Sequence, residues 1–252
     1  MTERDPLFSV IICSIDSGRF ERVSEMYRRV LAGQTFEIIG IHDAKGICEG
    51  YTRGIERAKG EILFFSHDDV EFVNPKIGQR VLEAMEKCDV MGIAGTTRLE
   101  HAMWSFAGPP YLFGQVAHPN DDGTYAVQIF ATPAPLVVGM QALDGCCLIA
   151  HRRVLKSVQF DAERFKGFHL YDADFTFSAH LAGLRVAVCC DLALIHRSKG
   201  LLTEEWNRDW EIFQAKHGFH LYPYRRRAFA NCEVAVQTRA DVLEVMTPRY
   251  GA

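Results

Sequence analysis

The stretch Gly60-Glu-Ile-Leu-Phe-Phe-Ser-His-Asp-Asp-Val70 decides the fold of this chain. Its four consecutive apolar residues, Ile62 to Phe65, predict a strand buried on both faces, as in the middle of a parallel sheet. The apolar run stops on Ser66-His-Asp-Asp69, so three metal-binding or hydrogen-bonding groups follow the strand at its carboxyl end. In open α/β sheets, ligands bind at that end of the strands. The stretch therefore predicts a central strand and a functional site directly after it.

The order of side chains in this stretch predicts which carboxylate faces a bound cation. Successive strand side chains point to opposite faces, so an extended backbone puts His67 and Asp69 on one side and Asp68 on the other. We therefore expect Asp69 to bind a hard divalent cation directly, with His67 beside it and Asp68 in a supporting position. Oxygen ligands suit Mg²⁺ or Mn²⁺ better than Zn²⁺. The competing interpretation is an acidic turn that only ends the strand.

The composition narrows the class of protein. Of the 252 residues, 48% are hydrophobic and 24% are charged, which is ordinary for a globular protein and enough for one large α/β domain. A net charge of -4 gives no sign of general nucleic-acid binding, and no apolar run is long enough to span a bilayer. The eight cysteines form no Cys-x-x-Cys pair, and several lie in apolar runs. Buried thiols of this kind predict a reducing cytoplasm.

The first 70 residues predict alternating strands and helices. Apolar runs indicate strands at 7–13, 36–41 and 62–65, and helical spacing indicates helices at 20–31 and 46–59. This order predicts right-handed crossovers and a mostly parallel central sheet flanked by helices. The first turn, Cys13 to Gly18, lacks the glycine motif of dinucleotide-binding domains. Asp43, which follows the second strand, could bind the base or ribose of a mononucleotide or could serve as a turn residue.

The rest of the chain predicts further elements around one long insertion. Four helices are expected: one from an Asn74-Pro75 N-cap to Cys88, one that begins near His151, one that ends at Ala182, and one over 203–217. Strands are expected at 90–94, 142–150, 184–190 and 191–196. The periodicity fades between Thr96 and Pro135, which predicts an irregular or hairpin-bearing insertion. Its aromatic residues, including Trp104, either stack on a sugar or pack the insertion onto the sheet. A basic turn, Tyr222 to Arg227, precedes a helix-like tail.

Acidic residues and histidines recur where strands end or helices begin. They are His67, Asp68 and Asp69, then Asp172 and Asp174, then His196. In a doubly wound sheet such ends converge on one edge. Carboxylates and a histidine around a cation, with one further free carboxylate, suit group transfer from a nucleotide diphosphate. The cation neutralises the leaving diphosphate, and the free carboxylate takes a proton from the attacking hydroxyl.

The ordered motifs resemble the inverting glycosyltransferases of family 2 with the GT-A fold, in a branch whose metal motif reads His-x-Asp-Val. The motifs are Asp43, Tyr51 to Gly60, His67 to Val70, Asp144-Gly145, Tyr171 to Phe175, Ala182 to Arg185, and His196. The resemblance covers about residues 7–217 and implies one GT-A-like domain over 1–252. Its parts would be a nucleotide-sugar-binding half at about 7–95, an acceptor and catalytic half at 96–217, and a C-terminal extension at 218–252.

The resemblance also implies a role for particular residues. Asp172 matches the general base, and Asp69 and His196 match the metal ligands. The implied nucleotide-sugar contacts are Ser14, Asp43, Tyr51, His67 and Asp68, and the implied acceptor contacts are Trp104, Asp144 and Asp174. Two positions depart from the pattern, because Tyr171 stands where Glu is usual and Thr52 where Asn is common. His67 takes the place of the first motif Asp, and the implied cofactor is Mn²⁺ or Mg²⁺.

These observations predict a cytoplasmic glycosyltransferase, of the hexosyltransferase class, that acts in polysaccharide biosynthesis. It would move a sugar from a nucleotide-diphosphate donor to a glycan or lipid-linked saccharide with inversion. The alternatives are a non-catalytic nucleotide-sugar-binding domain and a nucleotidyltransferase. Many donors share this fold and chemistry, so the sugar and the base stay open. The basic turn is either solvated or binds an acceptor phosphate or the anionic inner face of the membrane.

Overall fold

The computed structural model describes residues 7–198, 203–225, 227 and 231–247 of the chain. Its strands are β1 Phe8–Cys13, β2 Phe36–Ile41, β3 Ile62–Ser66, β4 Val70–Phe72, β5 Val90–Gly92, β6 Ala94–Thr96, β7 Leu112–Pro119, β8 Tyr125–Ile129, β9 Leu136–Val138, β10 Ala142–Leu143, β11 Cys147–His151, β12 Val186–Cys189, β13 Leu194–His196 and β14 Cys232–Val236. Its α-helices are α1 Ser17–Val30, α2 Ile47–Arg57, α3 Ile77–Met85, α4 Tyr171–Leu181, α5 Glu204–His217 and α6 Arg239–Val245. Short 3-10 turns lie at Trp104–Ala107, Arg152–Lys156 and Gly218–His220.

The central sheet has the strand order β2-β1-β3-β11-β5-β12-β9. Strands β2, β1 and β3 are parallel, and β11 runs antiparallel to both β3 and β5. Strand β12 is parallel to β5, and β9 is antiparallel to β12. Five strands therefore share one direction, and only β11 and β9 run the other way. The mostly parallel sheet that the sequence predicts is confirmed.

Strand β3 is buried along its whole length, as its continuous apolar run predicts. Leu63 and Phe65 pack into the core cluster that includes α2 and α4. Ile62 and Phe64 pack into the opposite cluster with α1 and α3. Each such buried side chain contributes about 1.5–3 kcal/mol to stability. Helices thus hold β3 from both faces, and its carboxyl end provides a rigid position for the residues that follow.

A second sheet, with the order β10-β6-β7-β13-β4, carries the predicted metal ligand His196 at the end of β13. The predicted insertion contains the β7–β8 hairpin, whose turn ends at Gly123 with φ +85°. Only glycine adopts this left-handed conformation at no steric cost. Strand β13 runs antiparallel to β4, with His196 opposite Val70. This pairing brings the end of β13 next to the residues that follow β3.

Three local predictions are wrong because tertiary contacts override the local pattern. Asn74 does not cap α3, since its amide donates to the Asp191 carbonyl and its side-chain oxygen accepts from Ala193 N–H. The helix expected from His151 is only a 3-10 turn. The tail is not simply helical, because β14 pairs with β8 before α6 begins. Of the helices in the described part of the chain, none combines the length and apolar character that crossing a bilayer requires.

Candidate active site

Two strand ends bring the predicted metal ligands together. The pairing of β3 with β11 continues for one residue, since His67 N–H donates to the Cys146 carbonyl at 3.1 Å. The chain then turns and re-enters as β4, which pairs with the strand that ends at His196. The Asp69 carbonyl accepts from Arg197 N–H at 3.0 Å. The backbone therefore fixes Asp69 and His196 side by side.

His67, Asp69 and His196 form what we call the metal group. Asp69 Oδ1 lies 3.8 Å from His67 Nδ1 and 3.3 Å from His196 Nε2, and the two imidazole nitrogens are 3.2 Å apart. Ligand atoms at about 2.1 Å from one cation and at right angles to each other are about 3 Å apart. The three atoms are therefore close to a ligand arrangement. Two imidazoles with one carboxylate suit Mn²⁺ better than Mg²⁺, which prefers oxygen.

The electrostatics keep two members of the metal group, His67 and Asp69, in the forms that bind cations. Burial and the nearby His196 lower the pKa of His67 to about 4, so its imidazole is neutral at pH 7. Burial acts to raise the pKa of Asp69, but the hydrogen bond and charge of His196 outweigh it and hold the pKa below its usual value. For His196, burial acts to lower the pKa, and the hydrogen bond to Asp69 with the charge of Asp144 raises it overall. A neutral imidazole and an ionised carboxylate are ligand forms, and a protonated His196 must release its proton when a cation binds.

A second group of candidate ligands overlaps the first at His196. It comprises Asp144, Cys146 and His196. Burial raises the pKa of the Cys146 thiol well above its usual value, and the charge of Asp144 raises it further. The thiolate is the form that binds metal. The protonated thiol makes this second group the weaker candidate.

Asp68 faces away from the metal group, as the alternation of side chains predicts. Ser14 Oγ donates to its carboxylate at 2.6 Å, and the Arg19 guanidinium lies 3.9 Å from it. These three residues line a cavity of about 320 Å³, which we call the donor cavity. Its apolar wall comprises Ile15, Ile41, Ala44, Ile47 and Phe168. His67 also lines this cavity, so the structure brings together the predicted donor residues Ser14, His67 and Asp68.

Two predicted donor contacts, Asp43 and Tyr51, do not line the donor cavity. The Asp43 carboxylate is exposed and bound to Arg53 at 2.7 Å, although the next residue, Ala44, lines the donor cavity. Contact between Asp43 and a nucleobase stays a prediction. Tyr51 is fully buried, with its ring packed on Phe65. We correct its assignment as a donor contact, because the helix that carries the motif turns this ring into the core.

A second cavity, of about 390 Å³, is also lined by His67, and we call it the acceptor cavity. Its lining includes Trp104, Asp144, Tyr171, Asp172 and His196. The predicted base and two of the predicted acceptor contacts are therefore brought to one space. His67, Phe168 and Ser198 line both cavities. The two cavities thus meet at the metal group.

Asp172 is the second residue of α4 and is not its N-cap. The N-cap is Leu170, which has a left-handed backbone with φ 54° and makes no side-chain cap. Burial, followed by the charge of Asp144, raises the pKa of Asp172 to about 7. Burial also acts to raise the pKa of Asp144, but the charge of His196 and hydrogen bonds from Cys146 lower it overall. Carboxyl groups with pKa values pushed apart in this way can divide acid and base roles between them.

Asp174 does not line the acceptor cavity, so we correct its assignment as an acceptor contact. Its carboxylate is 1% exposed and binds Lys216 Nζ at 2.9 Å and His217 Nε2 at 2.7 Å. These contacts anchor α4 to α5. Residues two apart on a helix point about 200° apart around its axis, so Asp172 and Asp174 reach opposite sides.

Several contacts of the metal group come from residues that the sequence patterns did not identify. Ser198 N–H donates to the Asp69 carboxylate at 3.1 Å, and Ser198 Oγ lies 3.0 Å from His196 Nε2. His118 Nδ1 lies 2.9 Å from the His196 carbonyl oxygen. Ser198 follows His196 by only two residues, but its contact with Asp69 and the contact of His118 with His196 join separate segments, so no local motif signals these meetings.

The basic turn is fixed to the fold by a buried carboxylate. Glu100 accepts from Arg98 Nε at 2.6 Å, from Arg227 Nη1 at 2.9 Å and from Arg225 N–H at 2.9 Å. Arg227 also donates to the Ala107 carbonyl at 2.8 Å. Arg227 is therefore held by protein partners instead of facing solvent alone. Arg226 lies outside the described residues.

A family model described as "Glycosyltransferase like family" matches residues 9–217. The match covers most of the chain, so the chain belongs to this glycosyltransferase-like family. The match and the observed sheet confirm the predicted family and the α/β, GT-A-like class of fold.

Individual relatives are distant. The chain is 26% identical over 218 residues to "ATP synthase subunits region ORF 6" of Fuscovulum blasticum, covering 80% of each sequence. It is similar to the S. aureus TarS 1-349 structure in complex with UDP, with 14% identity, a TM-score of 0.49, and coverage of 83% of this chain and 64% of that one. It is also similar to GalNAc-T7 with UDP, GalNAc and Mn²⁺, with 11% identity, a TM-score of 0.49, and coverage of 84% and 48%. The chain thus spans between about half and two thirds of these two structures.

Proposed function

We propose that this chain transfers a sugar, with inversion, from a nucleotide-diphosphate sugar to a hydroxyl group of an acceptor. In this proposal His67, Asp69 and His196 hold Mn²⁺, and Asp172 is the general base. The observation that carries the proposal is the meeting of the donor and acceptor cavities at the metal group, with Asp172 in the acceptor cavity. Membership of a glycosyltransferase-like family supports it.

The donor cavity has the chemistry that a nucleotide diphosphate requires. Its apolar wall suits the face of a base, and Ser14 and Asp68 offer polar partners for a ribose. Arg19 lines the cavity and supplies positive charge to phosphate oxygens, as arginine commonly does. A bound cation would neutralise the diphosphate as it leaves. His67 and Asp69 also line this cavity, so the leaving group would lie within reach of the cation.

The acceptor cavity has the chemistry for a single displacement. The acceptor oxygen forms a bond to the anomeric carbon, the bond from that carbon to the phosphate oxygen breaks, and its electron pair leaves with the diphosphate. Asp172 takes the proton of the attacking hydroxyl, and a pKa of about 7 suits a base that works near neutral pH. The ring of Trp104 offers an apolar face to a sugar, and Asp144 offers an acceptor for its hydroxyls. Attack opposite the leaving group inverts the anomeric centre.

We propose a glycan or a lipid-linked saccharide as the acceptor, a role in polysaccharide biosynthesis, and a cytoplasmic location that includes the inner face of the membrane. All eight cysteines are free thiols, which is the state that a reducing compartment maintains. A lipid-linked acceptor would bring the protein to a membrane surface.

The proposal is tested by incubation with a panel of nucleotide sugars in Mn²⁺, Mg²⁺ or EDTA, with and without oligosaccharide acceptors. Release of nucleoside diphosphate in Mn²⁺, faster than in Mg²⁺ and lost in Asp69→Asn, is the expected result. Tight donor binding without turnover would instead identify a binding domain. Release of pyrophosphate would identify a nucleotidyltransferase, and the absence of binding to every donor would contradict the proposal.

A further inference from the structure

His67 and Tyr171 are in direct contact although 104 residues separate them. Tyr171 Oη lies 2.5 Å from His67 Nε2 and donates to the Gly145 carbonyl at 3.0 Å. We propose that Tyr171 is a positioning residue that fixes the tautomer and ring orientation of His67, so that His67 Nδ1 can bind the cation. The proposal rests on the proposed function and specifies how the metal group is set up.

The tautomer of His67 follows from the donors and acceptors around Tyr171. A carbonyl oxygen only accepts, so the single phenolic proton of Tyr171 points at Gly145. The bond between Tyr171 and His67 must then be donated by His67 Nε2–H. A neutral imidazole protonated at Nε2 has its lone pair on Nδ1. That atom lies next to Asp69 Oδ1 and His196 Nε2, where the other two ligand atoms are.

Packing holds the Tyr171 hydroxyl in this position. The residue is 4% exposed, and its ring contacts Tyr51 and Phe160 at centroid distances of 5.9 and 6.5 Å. A Cβ added at Gly145 would lie 2.5 Å from the hydroxyl, so the absence of a side chain there permits the close approach. A hydrogen-bond partner held this rigidly can orient a metal-binding histidine, since such partners commonly set ring orientation and ligand basicity.

The contact predicts that the effects of substituting Tyr171 and His67 on cation binding depend on each other. An aspartate at position 67 has no ring N–H to donate and no tautomer to select. The Tyr171 hydroxyl would then have nothing to orient in the metal group. Removing the hydroxyl should therefore weaken cation binding strongly when residue 67 is histidine and only slightly when it is aspartate.

Calorimetric titration with Mn²⁺ alone measures this dependence. Tyr171→Phe is expected to weaken Mn²⁺ binding about 10- to 100-fold, the usual effect of losing a partner of a ligand histidine. Tyr51→Phe is the matched control, because Tyr51 is equally buried and its hydroxyl has no hydrogen-bond partner. It should leave Mn²⁺ affinity unchanged. In a His67→Asp background, Tyr171→Phe should change the affinity by no more than about twofold, the error of additive effects.

Nitrogen NMR of the histidine rings reports the tautomer of His67. If Tyr171 only supported the fold, replacing it would leave this tautomer unchanged. Metal-free wild type should show His67 protonated at Nε2, and Tyr171→Phe should show a mixture of tautomers or the Nδ1–H form. Mn²⁺ binding that Tyr171→Phe leaves unchanged, or weakens equally with and without His67, would overturn this proposal alone. Wild-type protein that binds no Mn²⁺ would overturn the metal group, and this proposal with it.

Discussion

Replacing Asp172 by asparagine tests the proton transfer on which the mechanism depends. Asparagine keeps the size of the side chain and its ability to accept hydrogen bonds, but it cannot take a proton. Loss of a general base costs about 10²–10⁴-fold in rate. We expect a folded protein with intact donor binding, measured by calorimetry, and almost no transfer, measured by product formation. Transfer at more than about a tenth of the wild-type rate would show that Asp172 is not the base.

The pH dependence of kcat/KM measures how strongly the rate depends on the ionisation of Asp172. With a pKa of about 7, roughly 1% of Asp172 is ionised at pH 5 and half at pH 7, so the rate should rise about 50-fold over that range. A bound cation favours the ionised form and moves this rise towards lower pH. Asp144→Asn removes a charge that raises the pKa of Asp172, so it should move the rise lower still. A profile that is flat from pH 5 to 8, or one that Asp144→Asn moves upward, would refute this reasoning.

The raised pKa of Asp172 also predicts how the stability of the metal-free protein varies with pH. Between about pH 4 and pH 7 the folded carboxyl holds a proton that the unfolded carboxyl has lost, so its contribution to stability is full below pH 4 and disappears as pH rises through 7. Asp172→Asn lacks this loss, so its stability relative to wild type should rise between pH 5 and pH 8, by at most about 3 kcal/mol and by less where solvent reaches the carboxylate. Urea denaturation at pH 5 and pH 8 measures the difference. A gain by wild type over the variant would contradict the shift.

The remaining predictions concern other parts of the site and the basic turn. Asp69→Ala should abolish Mn²⁺-dependent binding of nucleoside diphosphate in calorimetry, whereas Asp68→Ala should weaken it less; equal losses would contradict the opposite facing of the two carboxylates. Glu100→Gln should lower the free energy of unfolding by about 3–5 kcal/mol, because it breaks a buried ion pair, while exposed Glu233→Gln should leave it unchanged; an unaltered urea midpoint in the Glu100 variant would contradict the stabilising role of the contacts between Glu100 and the three arginines. Arg227→Ala should destabilise the fold without changing co-sedimentation with anionic liposomes, and a fall in co-sedimentation would assign Arg227 to the membrane instead.

The elements that the sequence predicts well are those whose pattern is set by burial. Strand β3 is an unbroken apolar run and lies between β1 and β11, so its position and the site after it follow from the same stretch. The alternation of side chains also separates Asp68 from Asp69 correctly, although β3 ends at Ser66 and the next residues form a turn. The side chains of Asp68 and Asp69 still point in opposite directions because the pairing with β11 continues through His67.

The parts that the sequence does not predict depend on contacts between distant segments. Tyr51 and Asp174 lie on helices that carry motif residues, and only the packing of each helix shows that these two side chains face the core. The left-handed Leu170 has no glycine to signal it, and the energy of such a conformation, about 1–2 kcal/mol, is supplied by the surrounding structure. The contact between Tyr171 and His67 joins segments far apart in sequence. Periodicity describes one element at a time, so it cannot show such meetings.

The measurement that tests the central claim most directly is the anomeric configuration of the first product formed from a turned-over donor. Proton NMR can follow the sugar released to water, or transferred to an acceptor, before mutarotation mixes the anomers. A single displacement between the metal-held diphosphate and a hydroxyl activated by Asp172 predicts a product with the configuration opposite to that of the donor. Retention of the donor's configuration, or the same rate of inversion in Asp172→Asn, would contradict the account.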